Sequence, residues 1–330
     1  MNAPFPAETR AMHDGQGRRI DYVRLSLTDR CNLRCQYCMG EDVTFLPRGE
    51  VLSLEEIAEL ARQFVARGVT RIRLTGGEPL VRRGAVAVAT EIGRMIGHGL
   101  DELTLTTNAT QLAEHAQGLW DAGVRRINIS LDTLEPERFR QITRNGDLDR
   151  VLEGIEVARS TGFAIKINMV VLKGINDDEL LPMLRSSAAR GFDLSLIETM
   201  PVGQHIDAFF PLTEARSRIE AEHALIPSTM RTGGPARYWQ VPDLGITLGL
   251  ISPLTRNFCD SCNRIRVSAS GQLYMCLGHD DHVDLRAALR SNDPVQLDDA
   301  IGRALRLKPA RHDFDLTTVA TVRHMNATGG

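Results

Sequence analysis

The chain has no run of about 18 apolar residues, the least that a membrane-crossing helix needs. Its first 17 residues are polar, carry Pro4, Pro6 and Glu8, and lack the apolar stretch of an export signal. They read as a flexible N-terminal arm, and the expected compartment is the cytoplasm, where thiols stay reduced. Positive charge is not in excess: 39 Lys and Arg face 42 Asp and Glu, a net of −3. That argues against a general nucleic-acid or membrane surface but not against a local anion site. Lysine is nearly absent. Only Lys166, Lys173 and Lys308 occur, so a lysine inside an apolar strand stands out. There is no G-x-x-x-x-G-K-[ST] loop, so phosphates are not held in the P-loop manner.

What is present suffices for a substantial core: 330 residues, 42% hydrophobic and 25% charged. From Tyr22 to Met200, short β-branched runs alternate with longer helical stretches. The expected strands are 22–28, 70–75, 102–107, 125–131, 163–172 and 193–199, with helices starting near Leu54, Arg83, Gln111, Asp147 and Asp177. Ser53 and Glu56 resemble a capping box, and Gly68, Gly123, Gly162 and Gly191 stand where helices end. Such alternation implies right-handed crossovers and a parallel sheet. Six units are too few for a closed eight-stranded barrel. They fit a partial, open barrel or a doubly wound sheet.

Residues two apart in a strand share a face. Arg24, Ser26 and Thr28 oppose Val23, Leu25 and Leu27; Arg73 and Thr75 oppose Ile72 and Leu74; Thr104, Thr106 and Asn108 oppose Leu103 and Leu105. Asn128, Ser130 and Asp132 oppose Ile127, Ile129 and Leu131; Lys166 and Asn168 oppose Ile165, Ile167 and Met169; strand six carries Glu198 and Met200 on one face. A parallel sheet covered on both faces reads as continuously apolar. The polar face here is expected to line the lumen of an open barrel that holds a polar ligand, with Lys166 pointing in. After Met200 the rhythm breaks into loops, a helix near 213–223, short strands between 245 and 276, and helices near Leu285 and 295–307.

The six cysteines fall into two groups of three: Cys31, Cys35 and Cys38 in "DRCNLRCQYCMG", and Cys259, Cys262 and Cys276 in "NFCDSCNRIRVSASGQLYMCL". The first group has no fourth cysteine or histidine at zinc-finger spacing. Cubane iron–sulfur clusters are usually held by four thiolates; three leave one iron open to a small molecule. The first group follows strand one, at the mouth where barrel active sites lie.

C-x3-C-x2-C with Tyr37 before the last cysteine, followed by "LTGGEPL" at 74–80, resembles the radical S-adenosylmethionine superfamily. The second cysteine group and the Gly329-Gly330 end make the chain similar, from about residue 18 to 330, to the GTP 3′,8-cyclase family of molybdenum cofactor biosynthesis. The resemblance implies a laterally open (β/α)6 TIM-like barrel over 18–212 and a smaller region over 213–330 that closes it and carries the tail. It implies two [4Fe–4S] clusters: one on Cys31, Cys35 and Cys38 that cleaves S-adenosylmethionine, one on Cys259, Cys262 and Cys276 that anchors GTP. Arg24, Arg73, Thr106, Lys166, Arg264 and Arg266 match GTP contacts; Tyr37, Gly77, Ser130 and Met200 match contacts to S-adenosylmethionine; Gly329 and Gly330 match a catalytic tail. The implied reaction is a lyase-class radical cyclisation, in which hydrogen leaves C3′ of GTP and C3′ bonds to C8. The product is (8S)-3′,8-cyclo-7,8-dihydroguanosine 5′-triphosphate. The implied partners are a reducing electron donor and the cyclic pyranopterin monophosphate synthase that takes the product, for an enzyme that is a monomer or homodimer with no nucleic-acid or membrane partner. Gly40 stands where the family often has proline, and Ala109 where it often has glycine.

Three other readings compete. A radical enzyme acting on a peptide usually carries more auxiliary cysteines. A zinc-stabilised nucleic-acid module brings cysteines in fours and a basic surface. A simple electron carrier ligates every iron and needs no arginine-lined cavity.

Overall fold

The computed structural model describes residues 11–40, 42–203, 207–291 and 293–329. Six strands, β1 (Tyr22–Ser26), β2 (Arg71–Thr75), β3 (Glu102–Thr107), β4 (Arg126–Ser130), β5 (Ala164–Val171) and β6 (Asp193–Glu198), lie side by side in chain order, each parallel to the next. The connecting helices are α1 (Leu54–Ala66), α2 (Ala85–Gly93), α3 (Leu112–Asp121), α4 (Pro136–Thr143), α5 (Leu148–Thr161) and α6 (Leu180–Ala189). α1 opens with the Ser53–Glu56 capping box, which satisfies two backbone donors that a helix start otherwise strands. Gly68, Gly123, Gly162 and Gly191 all have positive φ and turn the chain from a helix into the next strand.

α7 (Leu212–Glu220) leads into β7 (Ile226–Ser228), β8 (Arg237–Val241) and β9 (Ile246–Ile251), then β10 (Arg264–Val267), β11 (Gln272–Tyr274) and β12 (His282–Asp284). α8 (Leu285–Arg290), α9 (Pro294–Leu307) and α10 (Met325–Thr328) complete the chain. These later strands extend the sheet at both edges. β9 pairs parallel with β6, and β10 pairs parallel with β1, setting Arg266 opposite Arg24. The sheet runs β12-β11-β10-β1-β2-β3-β4-β5-β6-β9-β8-β7, so among the described residues its two edge strands do not meet and the barrel stays open.

The core lies between the sheet and its helices. Val23, Leu25, Ile72, Leu74, Leu103, Leu105, Ile127 and Ile129 are buried there with Leu60, Phe64, Ile92 and Leu112 of the helices. These are the apolar members of the strand alternation, so the polar members are left to the concave side.

The structure departs from the sequence reading in several places. Residues 11–17 do not form a loose arm: Met12 and Asp14 are buried, and Gly15 N–H donates to Leu305 O at the end of α9. Residues 1–10 lie outside the described part of the chain. α2 begins at Ala85 because Gly84, with φ +87, breaks the helix before it, and α6 begins at Leu180, after a turn in which the Asp177 carboxylate accepts from Gly174 N–H. α4, β7, β8, β12 and α10 were not anticipated. On β6, Ser195 and Ile197 also line the concave side, and Glu198 and Met200 line it at and beyond the strand end.

Candidate active site

The concave face lines two open cavities, of about 1150 Å³ and about 1000 Å³ with the space continuous with solvent included. Thr106, Asn168, Ile197 and Met200 line both, so they are two ends of one lumen.

One end lies beyond the C-terminal ends of the strands. Cys31, Cys35, Cys38 and Tyr37 line it with Gly76, Gly77, Glu78, Asn108, Ser130 and Asp132. Leu33 N–H donates to Cys31 Sγ at 3.4 Å, and Cys38 N–H donates to Cys35 O at 2.9 Å. Burial pushes the Cys31 thiol up to about 11, helped by Glu78, and the Cys38 thiol up to about 12, helped by Cys31 and Asp132. The thiols therefore share a space too crowded with negative charge to ionise freely unless a cation joins them. Tyr37 donates its hydroxyl to Asp132 at 2.7 Å, and burial raises Asp132 to about 6. Glu78, raised by burial to about 7, accepts from Leu80 N–H, Thr107 Oγ1 and Asn108 N–H. Its oxygens are spent on the chain, so it braces the loops as well as charging the site.

The two glycines of "GGEP" have a cause that the sequence reading missed. A Cβ on Gly76 would lie 2.6 Å from Thr28 O, and one on Gly77 would lie 2.4 Å from Arg30 O. Gly77 N–H donates to Thr28 O, and Glu78 N–H to Arg30 O. The glycines admit the backbone leading into the first cysteine run, which holds that loop against the end of β2.

The other end lies along the N-terminal halves of the strands. Arg24, Arg73, Arg126, Lys166, Arg264 and Arg266 line it with Cys259, Cys262 and Cys276, and no Asp or Glu is among the described residues there. Arg73 donates to Tyr22 Oη and, at 3.1 Å, to Thr106 Oγ1. Lys166, 5% exposed, donates to Tyr238 Oη at 2.7 Å and lies 4.6 Å from the centre of that ring. Arg264 lies 5.2 Å from the Phe258 ring centre. Burial and neighbouring arginines lower Arg24 to about 10 and hold Arg266 well below its ordinary value. Nε and Nη2 of Arg24 are buried and have no partner. Buried donors without partners are rare in folded proteins and point to an absent acceptor. Burial would raise Cys262, but Arg264 and Lys308 outweigh it and bring the thiol down to about 7.

The C-terminal segment touches both ends. Met325 N–H donates to Cys38 O at 3.2 Å, Asn326 Nδ2 donates to Asp29 O at 2.9 Å, and Arg266 donates to Gly329 O. Gly329 has φ +71, and a Cβ on it would lie 2.2 Å from Thr75 Oγ1. Only glycine fits that seat without movement. Gly330 lies outside the described residues.

Every other residue that the resemblance matched to a cluster, S-adenosylmethionine or GTP lines the lumen or, for Gly329, contacts Arg266 on its wall, whereas Ser26, Thr28, Thr75 and Thr104 of the polar strand face are not among the lining residues. Among the described residues, no three His, Cys, Asp or Glu side chains converge on one ion. Both cysteine triads instead border a cavity, which suits a cubane whose thiolates each take a separate iron. The sequence reading missed Tyr22 and Tyr238, which hold two of the cations, and Lys308, which touches Cys262. The signal for Tyr22 was available, since it sits two residues before Arg24 on the same strand face. Tyr238, on β8, and Lys308, at the end of α9, arrive from parts of the chain distant in sequence.

The Radical SAM superfamily model matches residues 25–186, and the Molybdenum Cofactor Synthesis C model matches residues 192–314. A GTP 3′,8-cyclase of Rhizobium etli (strain CIAT 652) is 50% identical over 337 aligned positions, covering 99% of this chain and 97% of the relative. One of Erythrobacter litoralis (strain HTCC2594) is 54% identical over 325 positions, covering 96% of this chain and 98% of the relative. Among solved structures, Streptococcus suis SuiB bound to S-adenosylmethionine superposes with a TM-score of 0.61 at 13% identity, covering 85% of this chain and 66% of that one, a likeness of fold.

Proposed function

The chain belongs to the radical S-adenosylmethionine superfamily and, within it, to the GTP 3′,8-cyclases of molybdenum cofactor biosynthesis, and on that premise we propose that the two ends of its lumen bind S-adenosylmethionine and GTP for the closure of a C3′–C8 bond. The observation that carries the division is charge: six cations and no carboxylate line one end, Arg126 among them being paired with Glu102 outside it, while three thiols with Glu78, Asp132 and Glu198 line the other.

GTP brings a triphosphate. Arg24, Arg73, Lys166, Arg264 and Arg266 supply fixed cations for it, and guanidinium forks suit phosphate oxygens. Arg24, with two unpartnered donors, is poised for such an acceptor. Thr106, bound by Arg73 between the two cavities, faces the sugar. At the other end Tyr37, Gly77, Ser130 and Met200 surround S-adenosylmethionine, whose sulfonium and ammonium match the charge of Asp132 and Glu78. When bound, a reduced [4Fe–4S] cluster on Cys31, Cys35 and Cys38 together with S-adenosylmethionine supplies the one-electron chemistry that opens the C3′–H bond. Cys259, Cys262 and Cys276 would hold a second cluster, which would supply a metal anchor for the nucleotide at this end. The tail, seated at Gly329 on Arg266, keeps that cation turned toward the nucleotide and shields the space between the ligands from water.

Residues 18–212 act as the radical-generating barrel and 213–330 as the nucleotide and second-cluster region. The product passes to the cyclic pyranopterin monophosphate synthase, and an external donor supplies two electrons in the cytoplasm, one for cleavage of S-adenosylmethionine and one that, with a proton, completes the dihydropurine after ring closure. The peptide-modifying alternative is set aside, because GTP 3′,8-cyclases match almost the whole chain.

Anaerobic incubation with GTP deuterated at C3′, S-adenosylmethionine and a reductant tests the reading. The product is an isomer of GTP, so its mass differs from GTP's only by the label, while its chromatography changes. Deuterium appears in 5′-deoxyadenosine. Label retained at C3′ in unreacted GTP, with uncoupled cleavage alone, contradicts the reading.

A further inference from the structure

Lys308 is one of three lysines in the chain, and it is 3% exposed. It stands just after α9, where its backbone N–H caps Leu305 O. Its ammonium carries three protons and has three acceptors: Met275 O at 2.6 Å, Arg264 O at 3.0 Å and Cys262 Sγ at 3.5 Å. None is left for a phosphate, and Lys308 is not among the residues lining the cavity. This cation lies behind the second triad and is aimed at a sulfur.

Its position is braced from the N-terminal segment. Arg18 donates to Pro309 O at 2.6 Å, to Ala310 O at 2.9 Å and to Cys259 O at 2.8 Å. Arg18 is itself held at 2.6 Å by Asp14, whose side chain is fully buried. One guanidinium thus ties the backbone after Lys308 to a cysteine of the same triad.

We propose that Lys308 is a positioning residue of the second metal site, a resident counter-charge whose N–H···S bond to Cys262 sets the charge and reduction potential of the cluster held there. The inference rests on the reading that Cys259, Cys262 and Cys276 hold a cluster. Three thiolates concentrate negative charge at the same end of the lumen that receives a triphosphate. A buried cation with all its protons bonded offsets that charge without competing for the nucleotide. Hydrogen bonds to sulfur and net charge are among the factors that set a cluster's potential, and a cation favours the more negative, reduced form.

The test uses the full chain with Cys31, Cys35 and Cys38 all changed to Ser, so that only the second site carries iron. It is reconstituted anaerobically and titrated by potentiometry with electron paramagnetic resonance detection. Lys308→Met removes both charge and donor; Lys308→Gln removes the charge but keeps a donor. Lys173→Met, at an exposed position, is the control. The expected midpoint falls in both Lys308 variants, further in Lys308→Met, and does not move in the control. If Lys308→Met loses iron, the fall in Lys308→Gln carries the result. Iron retained with an unmoved midpoint in Lys308→Gln overturns the proposal alone. No iron in the chain with Lys308 intact overturns the second-cluster reading, and this proposal with it.

Discussion

The two ends of the lumen are built from the same six strands yet differ in charge. Along the N-terminal halves the inward positions are Arg24, Arg73, Arg126 and Lys166; past the C-terminal ends they are Gly76, Gly77, Asn108, Ser130 and Asp132. Burial raises the thiols at the acid end, while at the cation end Arg264 and Lys308 overcome burial and lower Cys262. A change of position of only a few residues along a strand therefore changes which ionisation the cavity favours. One polar strand face thus presents two ends of opposite charge, and the β10–β1 pairing adds to the cationic end by setting Arg266 beside Arg24. The barrel mouth alone carries the thiols of the first triad; the later region carries the rest.

The sharpest way to break the comparison is to remove one triad at a time. Cys35→Ala is expected to abolish cleavage of S-adenosylmethionine. Cys262→Ala is expected to abolish cyclisation while leaving measurable uncoupled cleavage, read as 5′-deoxyadenosine without cyclised product. Equal loss of cleavage in both would erase the distinction between the ends.

Arg266→Ala comes next. It removes a half-buried cation from the anion end and the hydrogen bond to Gly329 O. Turnover of GTP is expected to lose about 2–5 kcal/mol of stabilisation, the range for truncating one partner of a buried charge pair. Arg303→Ala, at an exposed site on α9, should leave kcat/KM unchanged. A similar loss in both variants would move the nucleotide elsewhere.

Gly329→Ala tests the link between the ends. Its Cβ collides with Thr75, so the tail must lift. Overpacking of this kind costs roughly 1–3 kcal/mol, expected here as slower cyclisation with iron content and S-adenosylmethionine binding retained. Removing both terminal glycines should stop cyclisation outright, and normal cyclisation by the truncated chain would return the tail to an idle end.

The smallest effect concerns Ala109. It is buried and has φ +61, a left-handed conformation that costs an ordinary side chain about 1 kcal/mol. Ala109→Gly relieves that strain but adds freedom to the unfolded chain. A net rise in unfolding free energy below about 1 kcal/mol is expected by denaturant titration, with no change in ligand binding. A Cβ at Gly40 would make only ordinary contact with His324, at 3.8 Å, and the position carries no left-handed φ.

Much of this was legible in the sequence because period-2 alternation reports a face directly. Lys166 reads as inward from its apolar neighbours Ile165 and Ile167, and it is buried against Tyr238. The first five strands lie within two residues of their expected ends for the same reason. β7 and β12 escaped because three residues give alternation too little length to register, and β8 because Gly233, Gly234 and Pro235 just before it read as a loop. The purpose of Gly76 and Gly77 was hidden because the backbone they admit, at 28–30, lies on another strand's loop. Lys308 and Arg18 meet the second triad across sequence separations of 46 and 241 residues, which no local pattern reports.

The central claim is that opposite charges divide the lumen between two ligands. Equilibrium titration of GTP and of S-adenosylmethionine, each alone, into the reconstituted parent, Arg266→Ala and Asp132→Asn tests it most directly. The account predicts that Arg266→Ala weakens GTP by roughly 30-fold or more and leaves S-adenosylmethionine within about two-fold, while Asp132→Asn does the reverse with a loss of about 1.5–3 kcal/mol. Parallel losses of both ligands in either variant would contradict it.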